Sequence, residues 1–368
     1  HSTPKWTKKG VVVLRSSNIK NGCLDLSSPS FTDELNYEYR SRRAKVQSGD
    51  LVITREAPMG EVCLISKDLK CCLGQRMVLL RPLLEKCDGK YLLYALQSKE
   101  VQHEIRSYDG TGSTVSNLRI PALKNLSIPT PPLPDQKVIA HILGTLDEKI
   151  ELNRKNNQTY EGIAKGLFKS WFIDFDPVRA KAEGLSTRLP DEINELFPNK
   201  FENTELGEIP KGWEYVQLED LVKYSGRGIS PKYTDEVKYP VINQKCIRNS
   251  EIDFSLCKFT QYKKNMETKF LTKFDVLVNS MGVGTLGRVS LFVNFSKEIL
   301  VDGCVTFVRG KTENHSLYLF QNLSLREEEI INLSTGSTGQ TSLRKEAFMK
   351  LSILNPSDQL LELYTSFV

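Results

Sequence analysis

The chain repeats itself, and that repetition limits what it can fold into more than any other feature. TGSTVSNLRIPALKNLSIPTPPLPDQ begins at residue 111, and TGSTGQTSLRKEAFMKLSILNPSDQ begins at residue 335. The match extends upstream in the same order. TPKW at 3–6 parallels SPKY at 230–233, and VVVLRSSNIKNGCLD at 11–25 parallels YPVINQKCIRNSEID at 239–253. GDLVITREAPMGEVCLI at 49–65 parallels FDVLVNSMGVGTLGRVSLF at 274–292, with two extra residues in the second stretch. CCLGQRMVLLRP at 71–82 parallels VDGCVTFVRG at 301–310, and YLLYALQS at 91–98 parallels LYLFQNLS at 317–324. Register preserved over this span means one domain used twice, so each copy is a folding unit of its own.

Within each copy the pattern is mixed. LVITR and VLVNS are short β-branched runs that read as strands, and EVCLI and RVSLFV read as the returning strands of hairpins. KYLLYALQSKEVQHEIRS carries a helical apolar face, while LSIPTPPLP and LSILNP read as a last short strand stopped by proline. The expectation is an α+β architecture of two similar mixed α/β domains separated by a long coiled-coil-like helix. That helix comes from DQKVIAHILGTLDEKIELNRKNNQTYEGIAKGLFKSWF, where Ile139, Leu146, Asn153, Tyr160 and Leu167 recur every seven residues. Some 35 residues give a rod of roughly 50 Å. A one-sided stripe on such a rod needs a covering partner. The boundaries that follow are 1–133 for the first copy, 134–183 for the helix and the DFDPVRAKAEG turn, 184–211 for a linker, 212–356 for the second copy and 357–368 for the start of another helix. The second copy ends in PSDQLLELYTSFV, which aligns with the start of the central helix. The first lacks a counterpart of GWEYVQLEDLVKYSGRG at 212–228. A complete molecule is therefore expected to have about 20 more residues in front and a second long helix behind.

Charge follows the repeat. The net charge is +7 over 1–133, −4 over 134–210 and +2 over 211–368. Basic ends and an acidic middle fit polyanion contact by the copies and protein contact by the centre. No apolar stretch approaches the roughly 20 residues of a bilayer span. Eight cysteines without a CxxC pair fit buried, reduced thiols of a cytoplasmic protein, and four histidines show no metal-ligand spacing with them.

GVGTLG at 282–287 matches the dinucleotide string GxGxxG, but RVSLFV after it alternates as a strand instead of opening a helix. A glycine-rich hairpin loop is the better reading. No Walker A string, no nuclease carboxylate–lysine arrangement and no (Asn/Asp)-Pro-Pro-(Tyr/Phe) methyltransferase motif occurs. Catalysis and a metal site are therefore not expected of this chain.

What remains is basic, polar and duplicated. Lysines and arginines at loop ends hold phosphates, and Arg, Gln, Asn and Lys in turns reach base edges. In the first copy the candidate DNA contacts are Lys5, Lys8, Arg15 and Ser16, then Arg40, Arg42 and Arg43, then Arg55 and Ser113. In the second they are Arg227, Lys232, Gln244 and Lys245, then Lys263, Lys264, Ser280 and Gln340. RSSNI against NQKCI, and TREAPMG against NSMGVGTLG, share scaffold positions while their polar tips differ. Two such copies should read two different short sequences.

WFIDFDPVRAKAEG at 171–184, ELGEIPKGWEYVQLEDL at 205–221, and the TGST…LSIPTPPLPDQ phrase resemble specificity subunits of type I restriction–modification systems. The resemblance covers essentially the whole chain, in order, twice over. It implies that each copy is a target-recognition domain gripping one half of a split double-stranded DNA site. The long helices would set the distance between half-sites. DNA adenine methyltransferase (modification) subunits and restriction/translocase subunits would dock on the centre. The expected docking residues are Ile139, Leu146, Tyr160, Leu167 and Trp171, with Asp174, Asp176 and Arg179 of the turn. S-adenosylmethionine, ATP and Mg2+ would belong to those partners, with no cofactor in this chain and no membrane. Rival readings are the specificity component of a related multi-subunit restriction system, and a duplicated protein–protein adaptor that never meets DNA.

Overall fold

The computed structural model describes residues 4–65, 69–108, 117–236, 238–261, 265–293, 298–335 and 341–367. The chain divides into two compact units, residues 1–155 and 156–368.

In the first unit come β1 (Trp6–Thr7), β2 (Val11–Leu14), β3 (Ser30–Thr32), helix α1 (Glu34–Arg40), β4 (Leu51–Thr54), β5 (Val62–Leu64), β6 (Cys71–Leu73) and β7 (Met77–Leu80). One sheet has the order β1-β3-β2-β6, with β2 and β6 parallel, and a second has the order β5-β4-β7. Strand β4 is buried at every position. It is β-branched and continuous because both its faces are covered. Leu51 and Ile53 face Leu93, Leu96, Val101 and Ile105 of helices α2 (Gly89–Gln97) and α3 (Lys99–Ser107), while Val52 joins Leu14, Cys63 and Cys71 on the other side.

The second unit rebuilds this arrangement with β9 (Val222–Arg227), β10 (Tyr233–Thr234), β11 (Tyr239–Ile242), β12 (Lys258–Thr260), β13 (Val276–Asn279), β14 (Val289–Leu291), β15 (Leu300–Val301) and β16 (Val305–Gly310), preceded by β8 (Glu214–Gln217). Its sheets have the orders β10-β12-β11-β15, again with a parallel pair (β11 and β15), and β9-β16-β13-β14. Val276 and Val278 face one core and Leu277 the other, as in β4. A bidentate pair recurs as well. Arg81 meets Asp50 at 2.7 and 2.8 Å, and Arg309 meets Asp275 at 2.8 and 2.8 Å. The two copies therefore share topology as well as sequence, and the hairpins expected from EVCLI and RVSLFV are present.

Two local expectations change. KYLLYALQSKEVQHEIRS is two helices, because Ser98 adopts φ −60°, ψ 153° and its hydroxyl caps the second by accepting from the Val101 amide. LSIPTPPLP forms no strand, whereas LSILNP forms β17 (Ser352–Asn355). The difference is one of partners. β17 is half of a two-stranded sheet with β8, a segment without a counterpart among the described residues of the first copy, and Pro129, Pro131 and Pro132 remove ladder donors there.

Between the copies helix α4 (Leu133–Phe172) runs unbroken for 40 residues, about 60 Å of rise. Its start packs on the first unit. The Gln136 side chain accepts from the Asp88 amide and donates to the carbonyls of Lys86 and Pro131, and Tyr94 donates to Asp147 at 2.7 Å. Its end lies in the second unit, where Phe168, Trp171 and Phe172 are buried against Phe197, Trp213, Tyr318 and Tyr364. The turn after it starts α5 (Asp176–Ala182), with Phe175 at φ 57° and its ring edge-on to Trp213. The DFDPVRAKAEG string thus has a packing reason: left-handed backbone aims Phe175 inward, and Pro177 suits the first turn of α5. Within the 184–211 linker, Phe197 and Ile209 are buried in the same core. Helix α6 (Glu313–Ser324) and α7 (Asp358–Ser366) complete it.

Candidate nucleic-acid interface

The sequence candidates fall into three structural groups. The first stays on the surface. Lys5, Lys8, Arg15, Arg42, Arg43, Lys232 and Lys245 are exposed, and Ser16 is half-buried. Lys5 makes an ion pair with Asp33 at 3.4 Å, and the Arg42 guanidinium lies 4.8 Å from the Tyr39 ring centroid. Exposed pairs of this kind hold weakly, so the fold does little to engage these cations.

The second group is engaged by the fold, which corrects the expectation of free contact. Arg40 is nearly buried, and its Nε and Nη2 donate to the Leu73 carbonyl. Arg55 donates to the Leu118 carbonyl at 2.8 Å and to Asn117 Oδ1 at 2.9 Å. Arg227 donates to the Leu343 carbonyl at 2.6 Å and to Ser342 Oγ at 2.8 Å. Ser280 is fully buried, its hydroxyl 2.5 Å from Thr306 Oγ1, so it has no route to a base. The arginines reveal a convergence. Leu118 N donates to Arg55 O just as Leu343 N donates to Ser280 O, so Leu118 and Leu343 are equivalent and Arg55 matches Ser280. The same carbonyl is held in each copy by a guanidinium, from the end of β4 in one and from β9 in the other. Ser280 is small and buried because Arg227 takes that task. The third group, Ser113, Lys263, Lys264 and Gln340, lies outside the described residues.

Arg40, Arg43 and Arg55 border one hollow of about 340 Å³ beside β7, together with Ser41, whose buried hydroxyl has no hydrogen-bond partner. In the second copy the loop tips gather instead around Gln244. Its carbonyl accepts from Asn279 Nδ2 at 3.0 Å, and its side chain packs on Gly282 of the GVGTLG turn, where a Cβ would meet Gln244 Oε1 at 2.5 Å. Gly282, Gly284 and Gly287 all have positive φ, and the chain continues into strand β14. The turn is a hairpin loop, and no helix opens after it to receive a dinucleotide phosphate. Beneath the tips, Asp302 accepts from Tyr233 at 3.2 Å and from the Cys304 amide at 2.9 Å, and burial raises its carboxyl above the usual range. Burial likewise pushes the Cys63 and Cys71 thiols up to about 12, which leaves them unreactive.

The docking candidates also separate. Ile139, Leu146 and Tyr160 are exposed on α4, as are Ile142, Ile150 and Ile163. Leu167 is half-buried and Trp171 fully packed inside the second unit, so Trp171 anchors the helix to its own domain and offers no surface. Asp174 pairs with Lys169 and accepts from Arg179 Nε through its carbonyl, Arg179 lies 5.1 Å from the Phe201 ring centroid, and Asp176 is exposed at the start of α5. Trp6 and Tyr233 are absent from the sequence candidates. The match of TPKW with SPKY put an aromatic at the same place in each copy, and both are exposed. Among the described residues no group of three or more His, Cys, Asp or Glu could hold a metal, and no helix is long and apolar enough to cross a membrane.

A family model described as the type I restriction modification DNA specificity domain matches residues 2–161 and again residues 210–359. The chain is 32% identical over 213 residues to the type I restriction enzyme MjaIX specificity subunit of Methanocaldococcus jannaschii, covering 55% of this chain and 44% of that one. It is 25% identical over 376 residues to the HindI specificity subunit of Haemophilus influenzae, covering 87% of this chain and 79% of that one. A crystal structure of a type I restriction–modification S subunit from M. genitalium aligns over 98% of this chain and 85% of that one, at 16% identity and a TM-score of 0.49. The chain thus spans less than half the length of the first of these relatives and about four-fifths of the second.

Proposed function

The chain belongs to the type I restriction modification DNA specificity family, and from that premise we propose that it is the DNA-reading component of a type I restriction–modification complex. Each copy takes one half of a split duplex target. The observation that carries this reading is one fold built twice with different polar tips. The order of the matched strands and the bidentate arginine–aspartate pair coincide, whereas Arg15, Ser16 and Arg42 border the tips of one copy, and Lys232, Gln244 and Lys245 those of the other. Exposed Lys and Arg would anchor phosphates and loop side chains would read bases.

On this reading the chemistry belongs to other subunits. Modification subunits would use S-adenosylmethionine to methylate adenine in each half-site, and restriction subunits would use ATP and Mg2+. Support for separate partners is the apolar stripe Ile139, Ile142, Leu146, Ile150, Tyr160 and Ile163, which stays exposed on α4 and is the kind of surface that protein contacts cover. The test is a map of methylated adenines in host DNA with and without the gene. A split motif that disappears with the gene, and returns when it is restored, is the expected result. An unchanged map would refute the proposal.

A further inference from the structure

The edge strands β1 and β10 carry the same device. In Lys5-Trp6-Thr7, Trp6 is opposite Thr32 and Thr7 opposite Phe31, while in Lys232-Tyr233-Thr234, Tyr233 is opposite Thr260 and Thr234 opposite Phe259. Thr32 and Thr260 are fully buried, and their hydroxyls donate to the carbonyls of Lys5 and Lys232 at 2.7 and 3.0 Å. That bond fixes the backbone beneath the lysine and leaves the aromatic ring at the surface, Trp6 46% and Tyr233 44% exposed.

Above each ring sits a cation, and the two cations come from different places. In the second copy it is Lys258, with Nζ 4.7 Å from the Tyr233 centroid. The matching position in the first copy is Ser30, since Val13 pairs with Ser30 as Val241 pairs with Lys258. Ser30 has no charge, but Arg15 reaches across to it, with Nη1 3.5 Å from Ser30 Oγ, and places its guanidinium 5.5 Å from the Trp6 centroid. Different residues thus produce one arrangement: an exposed ring, a cation over it and a lysine beside it. Fold stability alone gives little reason for this, because an exposed cation–π pair is worth only about 0.5–1 kcal/mol.

We infer that Trp6 with Arg15, and Tyr233 with Lys258, are two equivalent clamps on the DNA sugar–phosphate backbone, one for each half of the target. The inference rests on the proposed function. Copies that read different bases differ at their reading tips, and what is the same in both must meet what is the same in both half-sites. That common element is the backbone. The exposed part of the ring lies against the apolar side of a deoxyribose, while the cation over its face and the neighbouring Lys5 or Lys232 take flanking phosphates. Tyr233 supports a contact by the ring and not by the hydroxyl, because its O–H is already donated to Asp302.

The test uses the full chain with two duplexes, one carrying the methylation motif mapped from the host and one scrambled. Trp171 and Trp213 are buried, so among the three tryptophans Trp6 is the one a solution quencher reaches. Either duplex should shield the protein's fluorescence from acrylamide, and Trp6→Phe should remove the quenchable component. Trp6→Ala and Tyr233→Ala should each weaken both duplexes by the same factor, roughly three- to tenfold, while Trp6→Phe and Tyr233→Phe keep near-normal affinity. Binding with unchanged quenching, binding unaffected by the alanine variants, or a loss confined to the target duplex would each overturn the clamp and leave the proposed function standing. Failure to bind either duplex at low salt, even with the modification subunit present, would overturn both.

Discussion

Asp275 and Arg309 offer a quantitative test with a control inside the same molecule. Asp275 is fully buried, and it accepts two parallel hydrogen bonds from Arg309 and further ones from the Thr272 amide and hydroxyl. Arg309 is 27% exposed, so little water stands ready to replace it. Replacing Arg309 with Met strips the guanidinium from a carboxylate that cannot reach solvent. Losing one partner of a buried pair costs about 3–5 kcal/mol, and the remaining Thr272 bonds keep this case near 3. The equivalent pair, Arg81 with Asp50, has the same bidentate geometry, but Arg81 is 46% exposed. Arg81→Met should therefore cost clearly less, because water can approach the carboxylate along the path the arginine occupied. Hydrogen exchange read by mass spectrometry resolves the two sites in one sample. Amides of β13 and β16 should lose more than a hundredfold in protection in Arg309→Met, with a smaller loss in β4 and β7 for Arg81→Met. Equal losses, or a greater loss in Arg81→Met, would refute the claim that burial sets the cost.

Three further outcomes follow from the geometry. Burial lowers the pKa of His315, which Asp358 only partly opposes and Lys311 reinforces. The folded state then binds its proton less readily than the unfolded chain. Its contribution is full above about pH 6.5, the unfolded value, and is lost as pH falls from there through the lower folded value. Melting temperature should drop on acidification from 7 to 5 by a smaller amount in His315→Gln than in the parent. Trp171→Ala, which empties a site packed by Phe172, Phe197 and Tyr364, should destabilise the second unit by about 3–5 kcal/mol in urea unfolding. Leu146→Glu and Tyr160→Glu alter side chains 53% and 66% exposed. They should leave stability within about 0.5 kcal/mol while preventing co-purification with the modification subunit; a complex that still forms would remove α4 as the docking surface.

Periodicity and repetition are properties of the chain itself, so the duplication, the hairpins over 49–65 and 274–292, and the long helix through Ile139, Leu146 and Tyr160 were all legible in the residues alone. A β-branched run such as LVIT is a strand because its alternate residues must bury on both sides, and a heptad stripe needs no knowledge of what covers it. Which polar residues are available depends on long-range packing. Arg42 and Arg40 are two residues apart and chemically identical, yet one is exposed and the other holds the Leu73 carbonyl. Ser280 is buried because Arg227, more than fifty residues earlier, has taken the carbonyl that Arg55 serves in the first copy. LSIPTPPLP stays irregular because a strand needs a partner edge. Ser98 breaks a helix whose apolar pattern runs on without interruption, since its hydroxyl caps the next turn. Local pattern sets what a segment is able to form. Hydrogen-bond partners brought from distant parts of the chain set which donors and acceptors are left for a ligand.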